Sequence, residues 1–122
     1  MYLVGTPGPP QTDAQRLLEK FVSERQRLVT DAEVLEEILG RYAAINRRHD
    51  IQPAFDALLD VVDEVFPVVR KIVERTRQIV LGHHQISARD AVHLAVMEQQ
   101  GVARILSFDS GFDGFPGIKR LA

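Results

Sequence analysis

Residues 86–113 read ISARDAVHLAVMEQQGVARILSFDSGFD, a stretch that predicts one helix followed by one buried strand. Ser87 is a favoured helix N-cap and Gly101 is a residue that ends helices, so we expect a helix from Ser87 to about Gln100. Apolar residues occupy most of its circumference, which predicts burial on more than one side. The apolar run Ala103–Phe108 follows as a strand. Such an order of elements is typical of a parallel sheet covered by helices.

The rest of the chain alternates between helical and extended segments in the same way. Thr12 and Thr30 each stand three residues before a Gln or Glu, the capping-box pattern that opens helices. The pattern predicts helices over Thr12 to about Gln26, Thr30 to about Ile45, Pro53 to about Val62 and Val68–Leu81, with strands at Leu28–Val29, Glu64–Phe66 and Ile118–Leu121. We therefore expect an α/β fold in a single domain, residues 1–122.

Composition and charge exclude several classes of protein. The 122 residues are 45% hydrophobic and 26% charged, which is ordinary for one globular domain, and none is cysteine. The lack of cysteine excludes a disulfide framework, a thiolate zinc site and a cysteine nucleophile, and it fits a reducing cytoplasm. No apolar run has the length of a membrane span, so we expect no membrane association. The net charge of −2 means that any RNA contact has to come from local patches.

Three acidic residues fall where the expected sheet brings distant segments together. Asp109 follows the strand of residues 103–108, and Asp90 lies in the first turn of the helix before that strand. Glu37 lies in the helix that follows the strand of residues 28–29. In open parallel sheets, sites form beyond the carboxyl ends of the strands. Because carboxylates in one cleft repel each other unless a divalent cation neutralises them, the placement favours a metal such as Mg²⁺, which prefers oxygen ligands.

Each acid also has a purely structural explanation. Asp90 stands three residues after Ser87, at the reciprocal position of a capping box, where the helix dipole favours a negative charge. Asp109, in the sequence FDSG, fits a turn. Glu36 and Glu37 flank the apolar stripe of their helix on opposite sides, and periodicity does not choose between them. The three acids together make a stronger case than any one alone.

Histidine and arginine residues near these acids carry weaker indications. His93 lies one turn after Asp90 and has the reach to enter the cleft, although a hydrogen-bonded helix histidine is the commoner meaning. His83–His84 is better explained as a polar loop than as a metal pair, because adjacent residues do not share a helix face. The basic group Arg41, Arg47 and Arg48 follows the helix that carries Glu37 and fits either RNA phosphates or a solvated helix end.

Three segments resemble those of PIN-domain proteins, in particular the VapC-type toxins of bacterial toxin–antitoxin pairs. They are VTDAEVLEEILGRY, ISARDAVHLAVMEQQGV and ILSFDSGFD, and the resemblance extends from Ala14 to Leu121. It implies a three-layer α/β/α fold with a central parallel sheet. It also implies an endoribonuclease that depends on Mg²⁺ or Mn²⁺ and uses four acidic residues.

The resemblance also assigns roles to particular acids. Matched by motif, the glutamate of VLEE is Glu37 rather than Glu36, the aspartate of RDA is Asp90, and the aspartate after ILSF is Asp109. These three are the implied catalytic and metal-binding residues. Asp113 matches a more variable acidic position and is at most a neighbour of the metal ligands.

The chain departs from the family pattern at its beginning. Family members open with a short apolar strand that ends in an aspartate, followed by a helix, whereas residues 1–12, MYLVGTPGPPQT, contain no acid. In one alignment Met1–Val4 is that strand and Gly5 replaces the aspartate. In the other, Met1–Val4 is the end of the following helix, and the strand with its aspartate is absent. We favour the second because Gly5 is too close to the helix of Ala14–Leu18 for the first. The first strand is thus expected to be missing or truncated.

The sequence therefore supports two functional hypotheses. The first is a Mg²⁺- or Mn²⁺-dependent endoribonuclease toxin of a type II toxin–antitoxin pair, which cleaves RNA with a metal-activated water, is blocked by a cognate antitoxin protein and forms a homodimer in the cytoplasm. The alternative is a catalytically impaired or truncated PIN-domain module that retains only antitoxin binding or dimerisation, because one of the four carboxylates is absent.

Overall fold

The computed structural model describes residues 1–4, 12–107, 112 and 115–121, with the side chains of residues 12–15 outside that description. The described residues form five strands and five α-helices. The strands are β1 (Tyr2–Leu3), β2 (Val29–Asp31), β3 (Glu64–Phe66), β4 (Arg104–Leu106) and β5 (Lys119–Leu121). The helices are α1 (Thr12–Ser23), α2 (Ala32–Ala44), α3 (Ile51–Val61), α4 (Arg70–Gly82) and α5 (Ala88–Gln100), and a single 3₁₀ turn, Arg48–Asp50, precedes α3.

All strand pairs are parallel, and the order across the sheet is β3-β2-β1-β4-β5. The predicted parallel sheet covered by helices is confirmed. No helix in the described ranges is both long and apolar enough to cross a membrane.

The preferred alignment, in which Met1–Val4 is the end of a helix, is wrong for this structure, which has Tyr2–Leu3 as a short first strand. Tyr2 pairs with Val29 on one side and with Ile105 on the other, so β1 lies in the middle of the sheet. Hydrogen bonds extend the pairing, from the Val29 amide to the Met1 carbonyl and from the Val4 amide to the Leu106 carbonyl. A helical Met1–Val4 would leave β2 and β4 as unpaired edges in the centre of the sheet, which is costly for buried backbone groups. The strand supplies no carboxylate, since the first acid of the chain is Asp13.

Alternation along the strands divides the core between the two faces of the sheet. Tyr2 and Val4 contribute to one cluster, whereas Leu3 contributes to the other. Side chains of α4 and α5 fill the first cluster, and side chains of α1, α2 and α3 fill the second. Because successive strand residues point to opposite faces, four apolar residues are enough to serve both cores. The result is the three-layer α/β/α arrangement that was expected.

Helix α2 begins one residue later than its sequence signature predicts. Asp31 rather than Thr30 is the N-cap, and its side chain accepts a hydrogen bond from the Val34 amide at 3.1 Å. Thr30 remains in β2, where its buried hydroxyl donates to the Leu3 carbonyl at 2.7 Å. A side chain used in the sheet cannot also cap the helix, so the capping role passes to the next residue.

Helix α5 begins and ends as predicted. The hydroxyl of Ser87 accepts a hydrogen bond from the Asp90 amide at 3.1 Å, and Gly101 closes the helix in the left-handed region with φ of 68°. A left-handed residue at this position lets its own amide, and the next, reach back to the last carbonyls. Leu94 through Met97 are all buried, which confirms the prediction that α5 is covered on more than one side.

Gly101 and Gly40 allow the effect of backbone conformation on stability to be tested at two positions with equal room for a side chain. A Cβ atom added at Gly101 or at Gly40 would meet nothing within 4 Å, but only Gly101 of these two has a positive φ. We expect Gly101→Ala to lower the free energy of unfolding by roughly 1 kcal/mol, because left-handed backbone is unfavourable for residues with a Cβ. Gly40→Ala, within helix α2, should raise it by about 0.5–1 kcal/mol. Urea unfolding of both variants measures the two changes in the free energy of unfolding. Changes of the same sign would contradict the left-handed conformation of Gly101.

Candidate active site

The carboxyl end of β2 and the first turns of α2 and α5 meet at one edge of the sheet. Asp31 is the last residue of β2, and Glu37 lies in the second turn of α2. His93 lies in the second turn of α5 and contacts both of them. The sheet therefore brings residues from positions 31, 37 and 93 into direct contact.

Asp31 is fully buried and uses both carboxylate oxygens. Oδ1 accepts from the Val34 amide, as the cap of α2. Oδ2 accepts from the hydroxyl of Tyr2 in β1 and lies 2.7 Å from Nδ1 of His93. A buried carboxylate is costly unless it is paired and hydrogen-bonded, and the partners of Asp31 meet that requirement.

His93 has no exposed surface and lies between two carboxylates. Its Nδ1 faces Asp31, and its Nε2 is 2.9 Å from Oε1 of Glu37. The imidazole ring also packs between two aromatic rings, with centroid distances of 6.5 Å to Tyr2 and 6.4 Å to Phe112. The structure thus places His93 as a hydrogen-bonded histidine in a helix, the commoner of the two readings of its sequence position.

The two carboxylates change the protonation of their neighbours. Burial alone lowers the pKa of His93, but the hydrogen bonds to Asp31 and Glu37 outweigh burial and raise the pKa to about 9. The Tyr2 hydroxyl has a pKa raised well above its ordinary range, first by burial and then by the charge of Asp31 and its hydrogen bond to it. His93 is accordingly an imidazolium at neutral pH, and Tyr2 keeps its proton.

Glu37 stands between the buried network and an open cavity. Its side chain is 18% exposed, and Oε1 lies 3.8 Å from Nε of Arg89, a residue of α5 with a largely exposed side chain. The cavity, of about 550 Å³, is bounded by α2 and α5. Its lining residues are Val34, Glu36, Glu37, Gly40, Arg41, Ala44 and Arg89. The cavity therefore presents two carboxylates and two guanidinium groups.

The remaining acids predicted from the sequence have different outcomes. Asp90 is half-buried in the first turn of α5, between Arg89 and the turn that carries His93, and those two residues are the α5 partners of Glu37. Glu37 and Asp90 thus lie on two helices that contact each other. Asp109 and Asp113 lie outside the described residues.

A metal requires more ligands than the described residues assemble. Within residues 1–4, 12–107, 112 and 115–121, no three His, Asp or Glu side chains are grouped so as to hold a metal ion. Glu37 and Asp90 supply carboxylate oxygens, the donor type that Mg²⁺ and Mn²⁺ prefer. The donor chemistry fits such an ion, and the assignment of Glu37, Asp90 and Asp109 as its ligands stays a prediction.

Asp31 is the principal residue that sequence reasoning missed. Its signal was present, because Asp31 stands two residues after the predicted strand Leu28–Val29, in the first turn of the helix predicted from Thr30. The rule that placed Asp109 in a site, an acid at the carboxyl end of a parallel strand, applies equally to Asp31. Arg89 was also missed, because an arginine in a first helical turn carries no distinctive spacing.

Comparison with known proteins identifies relatives of the chain. A model of the PIN domain matches residues 2–118. Ribonuclease VapC13 of Mycobacterium tuberculosis is 59% identical over 122 residues, which cover all of this chain and 93% of that protein.

Two solved structures share the fold. The crystal structure of VapC20 from M. tuberculosis, described as a Sarcin-Ricin loop cleaving toxin, superposes with a TM-score of 0.70 at 22% identity, covering 97% of this chain and 98% of that one. The crystal structure of VapBC2 from Rickettsia felis, bound to a DNA fragment from their promoter, has a TM-score of 0.74 at 14% identity, with 98% and 96% covered. At these identities the likeness concerns the fold alone. Together with the PIN-domain match and the whole-length relative, it shows that this chain belongs to the PIN-domain family and, within it, to the VapC ribonucleases.

Proposed function

We propose that this protein is a Mg²⁺- or Mn²⁺-dependent endoribonuclease toxin of a type II toxin–antitoxin pair. The observation that carries the proposal is the cavity between α2 and α5, where the Glu37 carboxylate faces the guanidinium group of Arg89. Negative charge suits a divalent cation, and positive charge suits the phosphates of a nucleic acid. The family membership and the name of the relative VapC13 favour RNA as the substrate.

The metal would be held by carboxylates of this chain. Glu37 lines the cavity, and Asp90 of α5 and Asp109 complete the proposed ligand set. A bound divalent cation lowers the pKa of water and stabilises the charge that develops on a phosphodiester. Asp113 is assigned a position next to these ligands.

The residues of the chain itself bind and orient the RNA. Arg89 and Arg41 line the cavity from α5 and α2, on the same side as Glu37. Guanidinium groups make paired hydrogen bonds to phosphate oxygens, so two of them can fix the backbone on both sides of the scissile bond. This local pair provides the positive charge that a net charge of −2 does not.

An antitoxin protein and a second copy of the chain are the proposed protein partners. The structure of VapBC2 from R. felis, with which this chain shares its fold, is that of a complex bound to promoter DNA. A VapB-like antitoxin that covers the cavity would block Glu37 and the two arginines together. Homodimerisation and action in the cytoplasm complete the proposal.

A second candidate function is a module that binds antitoxin without cleaving RNA. The specific observation in its favour is that β1 sits in the centre of the sheet while residues 1–12 contain no acid, so the fourth carboxylate of the family has no counterpart there. Metal binding by fewer carboxylates is weaker, which lowers activity.

Cleavage of RNA by the purified chain distinguishes the two functions. A fluorogenic single-stranded RNA of mixed sequence is incubated with the protein in Mn²⁺, in Mg²⁺ and in EDTA. The nuclease predicts cleavage that requires the metal and that an inactive Glu37 variant lacks. A folded protein that leaves the RNA intact in both metals would exclude the nuclease and favour the binding module.

Arg89 provides a prediction for RNA binding that is separate from cleavage. In EDTA, Arg89→Ala should weaken RNA binding and reduce the slope of log Kd against log salt by about 0.7, the contribution of one phosphate contact on a single strand. Arg70→Ala on α4 is the matched control, since Arg70 is also exposed but pairs with Glu74 and does not line the cavity. Fluorescence anisotropy over a range of salt concentrations measures both. Equal slopes of log Kd against log salt for the two variants would show that Arg89 does not contact the RNA.

A further inference from the structure

A row of three side chains connects the carboxyl end of β2 to the cavity wall. Asp31 Oδ2 lies 2.7 Å from Nδ1 of His93, and Nε2 of the same ring lies 2.9 Å from Oε1 of Glu37. Ionised carboxylates only accept hydrogen bonds, so both ring nitrogens of His93 donate. The orientation of Glu37 is thereby linked to a group that lies entirely inside the protein.

The inner end of this row is fixed from several directions. Asp31 is held by the Val34 amide of α2 and the Tyr2 hydroxyl of β1. The His93 ring packs between Tyr2 and Phe112 and has no exposed surface. Ring and carboxylate therefore have one available arrangement, set by the backbone of two strands and two helices.

The outer end of the row is Glu37, whose long side chain needs a fixed hydrogen-bond partner to keep one orientation. An unrestrained glutamate on a helix surface samples several rotamers, and ordering it costs side-chain conformational entropy. The bond from Nε2 of His93 selects the rotamer that keeps the Glu37 carboxylate at the cavity wall while its exposed fraction is only 18%. A fixed partner behind a ligating carboxylate raises affinity because the ordering has been completed before the ligand binds.

We propose that Asp31 and His93 are positioning residues that hold the Glu37 carboxylate in the geometry required for the divalent cation. The proposal rests on the proposed nuclease function and adds to it two residues outside the acidic ligand set. His93 contacts no cavity-lining residue other than Glu37 through its ring nitrogens, so its influence on a bound ion passes through that carboxylate.

Three substitutions and one control distinguish the loss of Glu37 positioning from a general loss of fold stability. Asp31→Ser keeps a good N-cap for α2 but is too short to reach His93. His93→Leu removes both donors, whereas His93→Gln keeps one amide donor of similar reach toward Glu37. Thr76→Val is the control for lost buried hydrogen bonding, since the Thr76 hydroxyl is buried in α4 and donates to the Ile72 carbonyl.

The first measurement is Mn²⁺ affinity by titration calorimetry of the folded variants. We expect Asp31→Ser and His93→Leu to weaken Mn²⁺ binding by about 10- to 100-fold, the usual effect of losing an outer partner of a metal ligand. His93→Gln should recover part of that loss, and Thr76→Val should bind Mn²⁺ as the wild type does. In RNA cleavage the same variants should lower kcat more than they change KM. Wild-type Mn²⁺ affinity in folded Asp31→Ser and His93→Leu would overturn the proposal.

A crystal structure of the metal-free variants makes the test independent of catalysis. In His93→Leu, or in Asp31→Ser if the former does not fold, the Glu37 carboxylate should leave the position it holds in the wild type. A Glu37 carboxylate that stays in place would overturn positioning even if the wild type proves active. Conversely, if the Glu37 carboxylate is displaced in the variant but the wild type binds no Mn²⁺, the positioning of Glu37 is upheld and the nuclease function is rejected.

Discussion

Replacing Glu37 by glutamine should reduce RNA cleavage by at least about 100-fold, the loss expected when a carboxylate that holds a catalytic metal becomes neutral. The change is nearly isosteric, so the shape of the cavity is preserved. The glutamine side chain retains a carbonyl oxygen that can accept from Nε2 of His93, and the fold should remain intact. Initial rates on a fluorogenic RNA in saturating Mn²⁺, together with a thermal unfolding curve, measure both effects.

Glu36→Gln is the matched control, because it removes the same charge one residue earlier on the same helix. Both side chains line the cavity, but Glu36 is exposed, whereas Glu37 bonds to His93 and faces Arg89. We expect Glu36→Gln to keep most of the activity, with a change of at most about 5-fold from the general field of one exposed charge. A larger loss at Glu36 than at Glu37 would reverse the assignment within VLEE and make Glu36 the metal ligand in this cavity.

The stability of the metal-free protein should fall steeply at alkaline pH because of His93. Its pKa is raised from 6.5 in the unfolded chain to about 9 in the folded protein. A raised pKa means that the folded state holds the proton more tightly, so the stabilisation is complete below pH 6.5 and is lost as pH rises through about 9. The difference corresponds to on the order of 3 kcal/mol. Urea unfolding in EDTA at about pH 6 and about pH 10 measures it.

The His93→Gln variant isolates this effect from other titrations. Groups that titrate at high pH in both proteins contribute equally and cancel in the comparison. The variant should be less stable than the wild type below about pH 6.5, and the difference in stability should shrink as pH rises from there and be lost above about 9. Parallel stability curves over the whole range would show that the charge of His93 does not stabilise the fold.

Most of the fold could be predicted from sequence because its longer elements carry their own signals. The cap Ser87 and the terminator Gly101 gave α5 its bounds, and strand β3 has the bounds that its pattern predicted. The prediction for β1 was wrong because a strand of two residues is too short to show a periodic pattern. Its conformation follows from pairing with β2 and β4, and such tertiary pairing overrides any local reading of Met1–Val4.

The site was predictable where a single residue type at a strand end carries the information. That logic predicted Asp109, which lies outside the described residues, and applied to β2 it would also have predicted Asp31. Sequence periodicity did not distinguish Glu36 from Glu37, because both flank the same apolar stripe. Only the packing of α2 against α5 gives them different partners, and a partner 56 residues away leaves no local trace.

The hydrogen bonds of Asp31 join segments that are far apart in the chain. Its carboxylate bonds to Tyr2 across 29 residues and to His93 across 62. Contacts between residues so far apart in sequence form late, because the entropy cost of closing the long loop between them has to be overcome first. During synthesis on the ribosome, a nascent chain shorter than 93 residues has Asp31 and Glu37 but not the ring that joins them. The folding topology itself thus postpones assembly of the complete site until most of the polypeptide has been made.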